Sequence, residues 1–185
     1  MKILNLEDYI HLFGERDTHR SLSSFCCHED DDVQAYIRER AFDDELAHRA
    51  RTKLFIDERH QKIAGFFTIL FKNNIRFSKS INEEIIDQIT GDRESHYFRA
   101  ILLAQLAKND FYEKCPKEIF CGNDIIDAAK ISAKNIFDSC GLNHFCLEYK
   151  SRKEWLRKFY MRHGFSDVQT KENGLTLSYL RITNE

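Results

Sequence analysis

Apolar positions recur along the chain in two rhythms, and each predicts a different element. Between Gly122 and Cys140 they return at three and four residues. Ile125, Ile126, Ala129, Ala133, Ile136 and Phe137 share one face, and Gly141 supplies the C-terminal stop of a helix. Residues 33–50 read as a helix with Val33, Ile37 and Ala41 on one side. "NEEIIDQITG" reads as a short helix closed by Gly91, and "SRKEWLRKFYMRHG" as one stopped by Gly164. Strand signals lie between these. "TKLFID" and "IAGFFTILFK" flank the turn "ERHQK", and Ile63, Phe67 and Ile69 are residues that suit a pleated surface. "FRAILLAQLAKN" is the longest apolar run and does not alternate, which predicts a central strand covered on both faces. "HFCLEYK" and "LTLSYLRI" read as further strands, and "SLSSFCC" as a short early one. Strands alternating with helices predict an α/β fold with a mixed sheet.

Composition narrows the class. The length of 185 residues points to one domain, and 42% hydrophobic content with 15 Phe supplies a sizeable core. The formal net charge of −2 weakens any whole-chain electrostatic argument for nucleic acid. "MKILNLEDYIHLFGERD" lacks the apolar centre of a signal peptide, and no run approaches the ~18 apolar residues of a membrane span. Six cysteines without a CxxC spacing read as reduced thiols, so a cytoplasmic protein without membrane contact is expected. "CCHEDDD", residues 26–32, has metal-ligand residue types but not ligand spacing. It reads as a strand end followed by an acidic helix start, and no metal is expected.

The stretch "QLAKNDFYEKCPKEIFCGNDIIDAAK" leads from an apolar strand through a polar loop to a helix N-terminus. That order can hold a phosphate, because unpaired N–H groups point at the anion. Together with "KEWLRKFYMRHGF", it resembles the GNAT superfamily of acyl-CoA-dependent N-acetyltransferases. "LLAQLAKND" is similar to that family's fourth strand, and "FYMRHGF" to its "FY-x-x-x-GF" helix and turn. The resemblance covers about 75 residues closely and the N-terminal half more loosely, where it leans towards toxin-type members. It implies a GNAT-like mixed central sheet flanked by helices. It also implies one domain over 1–185, with the acceptor side in the N-terminal half and the acyl-CoA core near 98–170. The family's glycine-rich pyrophosphate loop is replaced by Lys117-Glu118-Ile119-Phe120-Cys121-Gly122, and Phe120 is expected to narrow the site or force the phosphate outward. The helix dipole survives that change, with Lys108, Lys114 and Lys117 available as charge.

The resemblance implies acetyl-CoA as cosubstrate. Its pantetheine would pair with backbone near Leu106, Ala107 and Lys108, and its phosphates would sit near Lys117, Cys121, Gly122 and Asn123. An amine attacks the thioester directly, and Tyr160 protonates the leaving thiolate. A tyrosine near ~10 stays protonated where a thiol near ~8.5 is already titrating. Glu148 is the candidate base. His96, His144 and His163 are alternatives, and Cys121 or Cys146 would serve a ping-pong route. The acceptor is expected to be a small-molecule or protein amine. Aminoacyl-tRNA is the toxin-type alternative, resting on Arg38, Arg40, Arg49 and Arg51 among Asp43, Asp44 and Glu45. A non-catalytic acyl-CoA-binding or interaction protein on the same scaffold is the other alternative.

Overall fold

The computed structural model describes residues 1–114, 116 and 119–183. In chain order the elements are β1 (Lys2–Asn5), α1 (Leu6–Phe13), α2 (Glu15–Ser23) and α3 (Asp31–Ala35). A π-helical turn (Tyr36–Arg40) leads into α4 (Ala41–Leu46), followed by β2 (Arg51–Asp57), β3 (Lys62–Arg76) and α5 (Glu83–Thr90). β4 (Tyr97–Lys108), a 3-10 turn (Asp110–Tyr112) and α6 (Gly122–Cys140) come next. β5 (His144–Lys150), α7 (Glu154–Arg162), β6 (Ser166–Thr170) and β7 (Leu175–Arg181) complete the chain. The strands form one seven-stranded sheet in the order β1-β2-β3-β4-β5-β7-β6. It is mostly antiparallel, with β4 and β5 parallel over Ile101↔Phe145 to Leu103↔Leu147.

Two compact units divide the chain, Met1–Leu70 with Ala104–Ala129, and Phe71–Leu103 with Lys130–Glu185. The first gathers Leu6, Leu22, Phe25, Ile37, Leu54, Phe66 and Ala107 into its core. The second gathers Phe77, Ile89, Phe98, Ala100, Cys146, Leu177 and Tyr179.

Local chemistry accounts for the boundaries. In α6, Ile125, Ile126, Ala129 and Ala133 are fully buried, and the helix stops where Gly141 turns to φ +73°. α5 is capped by Asn82, whose side chain accepts from Glu84 N at 2.8 Å, and is closed by Gly91 at φ +74°. The expected strand over 21–27 is instead the end of α2 and a bend. Thr18 and Leu22, one helical turn apart, are both buried, and Thr18 Oγ1 bonds back to Gly14 O at 2.8 Å. The helix expected over 33–50 starts at Asp31 and ends at Leu46, carrying the π-helical turn within it.

Candidate functional site

In the first unit the end of β4 is fixed by one buried side chain. Asn109 donates from its backbone N to Ala64 O at 2.8 Å and from Nδ2 to Ile63 O at 2.8 Å. Its Oδ1 accepts from Phe111 N at 3.1 Å. Asp110 follows, bonding through its N to Cys26 O at 2.8 Å, while its carboxylate accepts from His28 N at 2.9 Å and meets the His28 ring. The Tyr112 hydroxyl then donates to Asp57 at 2.8 Å. The His60 ring and the Tyr112 hydroxyl hold the Asp57 carboxyl well below the usual carboxylate range. The start of the polar loop, Asn109–Tyr112, is thus pinned by its own side chains.

Among the expected cofactor residues, Ala107 is buried in the core, and Leu106 and Lys108 are half-buried at the end of β4. Lys108 Nζ donates to Phe120 O at 3.1 Å, which brings a cation to the approach of α6. Lys117 lies outside the described residues. Phe120 does not obstruct the helix terminus, contrary to expectation. Its ring is 1% exposed and lies 5.4 Å from Phe55 and 6.4 Å from Tyr112, turned into the core. Gly65 makes that possible, since a Cβ there would stand 2.8 Å from both Phe120 Cζ and Ile125 Cδ1 and 3.0 Å from Ala107 O. Cys121 stands at the cap position just before α6, and Gly122 and Asn123 open its first turn. There the Asp124 carboxylate accepts from Cys121 N at 2.6 Å. This is the reach-back half of a capping box, and it occupies a donor that an anion would otherwise use.

In the second unit α7 lies against β5 and presents Tyr160, 8% exposed, to it. The Tyr160 ring is 5.7 Å from Tyr149 and 6.1 Å from Phe165. Phe145 and Tyr149 share this face of β5, whereas Cys146 and Glu148 point to the other, as the two-residue period requires. Glu148 is ion-paired with Lys171. Burial, with the charge of Glu148 adding to it, pushes the Cys146 thiol far up and leaves it a poor nucleophile. Burial also pushes His144 down, and its Nδ1 bonds to Arg99 O at 2.8 Å. The His163 ring lies 4.8 Å from Phe159 at the end of α7, and the His96 ring 6.2 Å from Tyr97.

The basic residues sort into two kinds. In the first unit Arg38 donates to Phe25 O at 2.7 Å, and Arg49 pairs with Asp44 at 2.7 Å. Arg40 reaches Asp44 at 3.9 Å, and Arg51 pairs with Glu45 at 2.8 Å and Glu7 at 3.0 Å. The four arginines that suggested a phosphate surface are therefore occupied by internal acceptors. On α7 the outer face carries Trp155, 56% exposed, with exposed Lys158 and Arg162 three and seven residues on. Neither Lys158 nor Arg162 has an ion-pair partner among the described residues. Among the described residues no three His, Cys, Asp or Glu side chains are grouped to hold a metal, and no helix is long and apolar enough to cross a membrane.

No family model matches the chain, and no curated protein matches it in sequence. Solved structures do. One is a bacterial toxin at 16% identity and TM-score 0.69, covering 88% of this chain and 83% of that one. A second is a tyrosine-to-phenylalanine mutant of KacT at 11% identity and TM-score 0.68, covering 95% and 92%. AtaT complexed with acetyl-methionyl-tRNAfMet matches at 12% identity and TM-score 0.69, covering 97% and 94%. The chain has the mixed α/β, GNAT-like fold of these toxins.

Proposed function

We propose that the chain, acting as one module over residues 1–185, is an N-acetyltransferase that moves the acetyl group of acetyl-CoA to an amine. The observation that carries this reading is Tyr160, held against Tyr149 and Phe165 on the GNAT-like helix, in a chain whose fold is that of toxins solved with acetyl-CoA. The amine nitrogen attacks the thioester carbonyl and the C–S bond breaks. The Tyr160 hydroxyl gives its proton to the leaving sulfur, and the amine proton leaves through water to Glu148. Since Tyr160 and Glu148 lie on opposite sides of β5, the proton given to sulfur and the proton taken from the amine would move on opposite faces of that strand. Backbone at Leu106, Ala107 and Lys108 would pair with pantetheine. The α6 N-terminus at Cys121, Gly122 and Asn123, with Lys108 and Lys117, would take the phosphates. No metal enters this chemistry, and a cytoplasmic setting belongs to the reading.

Tyr160→Phe tests it. Acetyl-CoA affinity should stay within twofold of wild type while acetyl transfer falls by more than about tenfold, a positioned acid contributing up to roughly 10²–10⁴. Equal loss of both would make Tyr160 a packing residue. No transfer by the wild type to any amine, with acetyl-CoA still bound, would favour the non-catalytic binding protein.

The outer face of α7 favours aminoacyl-tRNA as the acceptor over a small-molecule or protein amine. A flat exposed indole with Lys158 and Arg162, neither ion-paired among the described residues, suits a base and its phosphates. AtaT, of the same fold, was solved complexed with an acetylated aminoacyl-tRNA.

A further inference from the structure

We infer that Asp167, on β6, is a positioning residue that fixes the orientation of Tyr160, an inference that rests on Tyr160 being the general acid. Its carboxylate collects three donors from three elements. Ser178 Oγ, from its cross-strand partner on β7, donates at 2.5 Å. The Tyr149 hydroxyl on β5 lies 3.1 Å from each carboxylate oxygen. Arg157 Nε on α7 donates to Oδ2 at 2.9 Å. The register of β6 against β7 shifts between Asp167 and Gln169, the kind of irregularity that re-aims a side chain.

Two of these arms end at Tyr160. Arg157 stands three residues before it, one helical turn away, so anchoring Arg157 fixes the rotation of α7 about its axis. Tyr149 is the ring against which Tyr160 rests, 5.7 Å away at 44°, and its hydroxyl has been claimed by Asp167. Burial, with the negative charge of Asp167 adding to it, keeps the Tyr149 hydroxyl protonated, pushed up to about 12, so it remains a donor throughout the working pH range. A carboxylate that only tied an edge strand to the surface would need Arg157 alone. One that also grips Tyr149 sets both the backbone beneath Tyr160 and the wall beside it.

The test uses the full chain with ring-¹³C tyrosine, the Tyr160 resonances being assigned by their loss in Tyr160→Phe. In Asp167→Asn the Arg157 arm weakens, and in Asp167→Ala both arms go. The expected result is graded broadening or splitting of the Tyr160 resonances. Acetyl turnover should fall on the order of tenfold in Asp167→Asn with the acetyl-CoA KM unchanged, because a small misplacement of a reacting group is enough. Should Asp167→Ala not fold, Arg157→Gln, an exposed change that breaks the helix arm and a 3.8 Å pair with Glu154 on the same helix, gives the same reading. Tyr160 resonances identical to wild type in the folded variants would overturn the inference, as would unchanged turnover in an active enzyme. A wild type without acetyl transfer would fail the function reading instead, and the resonances would still decide whether Asp167 orders Tyr160.

Discussion

Asp124 makes the sharpest prediction about the phosphate end of the proposed site. Its carboxylate accepts the Cys121 N–H at 2.6 Å and brings a negative charge to the first turn of α6, where the pyrophosphate should sit. Replacing it by Asn keeps an oxygen able to accept that N–H and removes the charge. Asp124 is exposed, so the repulsion belongs near the aqueous limit, about 1 kcal/mol for unit charges some 4 Å apart. Acetyl-CoA should therefore bind Asp124→Asn roughly fivefold more tightly at low salt. The gain should shrink as ionic strength rises and the screening length falls below ~10 Å. Asp124→Ala loses the cap as well, which costs about 1 kcal/mol and lowers Tm by about 2–4 °C. Its acetyl-CoA affinity should still rise. Calorimetric titration at two salt concentrations, with thermal unfolding alongside, reads both effects. Weaker acetyl-CoA binding by Asp124→Asn, with Tm unchanged, would place the phosphates away from this terminus.

Three further outcomes follow from particular contacts. Gly65→Ala puts a Cβ against the Ala107 backbone as well as two core side chains, and should cost about 1–3 kcal/mol in urea unfolding. Acetyl-CoA affinity should drop with it, because Phe120 anchors the approach to α6. Trp155 is the chain's one tryptophan, so its fluorescence reports the outer face of α7 without labels. Single-stranded RNA should quench it, and Lys158→Glu with Arg162→Glu should reduce the log–log salt slope by about 0.7 per lost contact. An equal quench by acetyl-CoA alone would assign that face to the cofactor. His144 has its pKa lowered by burial, so its stability contribution is fully present above ~6.5 and is lost as pH falls through the folded value. Urea unfolding should therefore show lower stability at pH 5 than at pH 7.5, and the difference should narrow in His144→Gln.

Much of the frame was legible in the sequence because single residues mark its ends. Gly91, Gly141 and Gly164 all adopt positive φ just after the helices they were expected to close, and the spacing of Ile125, Ile126, Ala129 and Ala133 gave α6 its bounds. β1, α1 and β6 were not expected. β6 is a short, half-buried edge strand, "SDVQT", with little apolar signal. The strand expected at "SLSSFCC" went wrong because serine-rich sequence suits a bend as well as a strand, and only Thr18 and Leu22 together reveal the helix face. The proposed site rests in the sequence on motifs, not on geometry. "FYMRHGF" contains Tyr160, but nothing in the sequence marks Asp167, on whose carboxylate Tyr149, Ser178 and Arg157 converge in the fold. Phe120 looked obstructive because the loop sequence does not show that Gly65, far earlier in the chain, opens room for its ring in the core. Arg38, Arg40, Arg49 and Arg51 looked available because their acceptors, among them Glu7 and a backbone carbonyl, come from other elements.

Calorimetric titration of the purified protein with acetyl-CoA decides whether this GNAT-like chain uses that cosubstrate. Dephospho- and desulfo-analogues serve as controls. Micromolar binding that weakens when the phosphates are trimmed is the expected result. No heat and no thermal shift at millimolar acetyl-CoA would contradict it, leaving the fold without its cofactor.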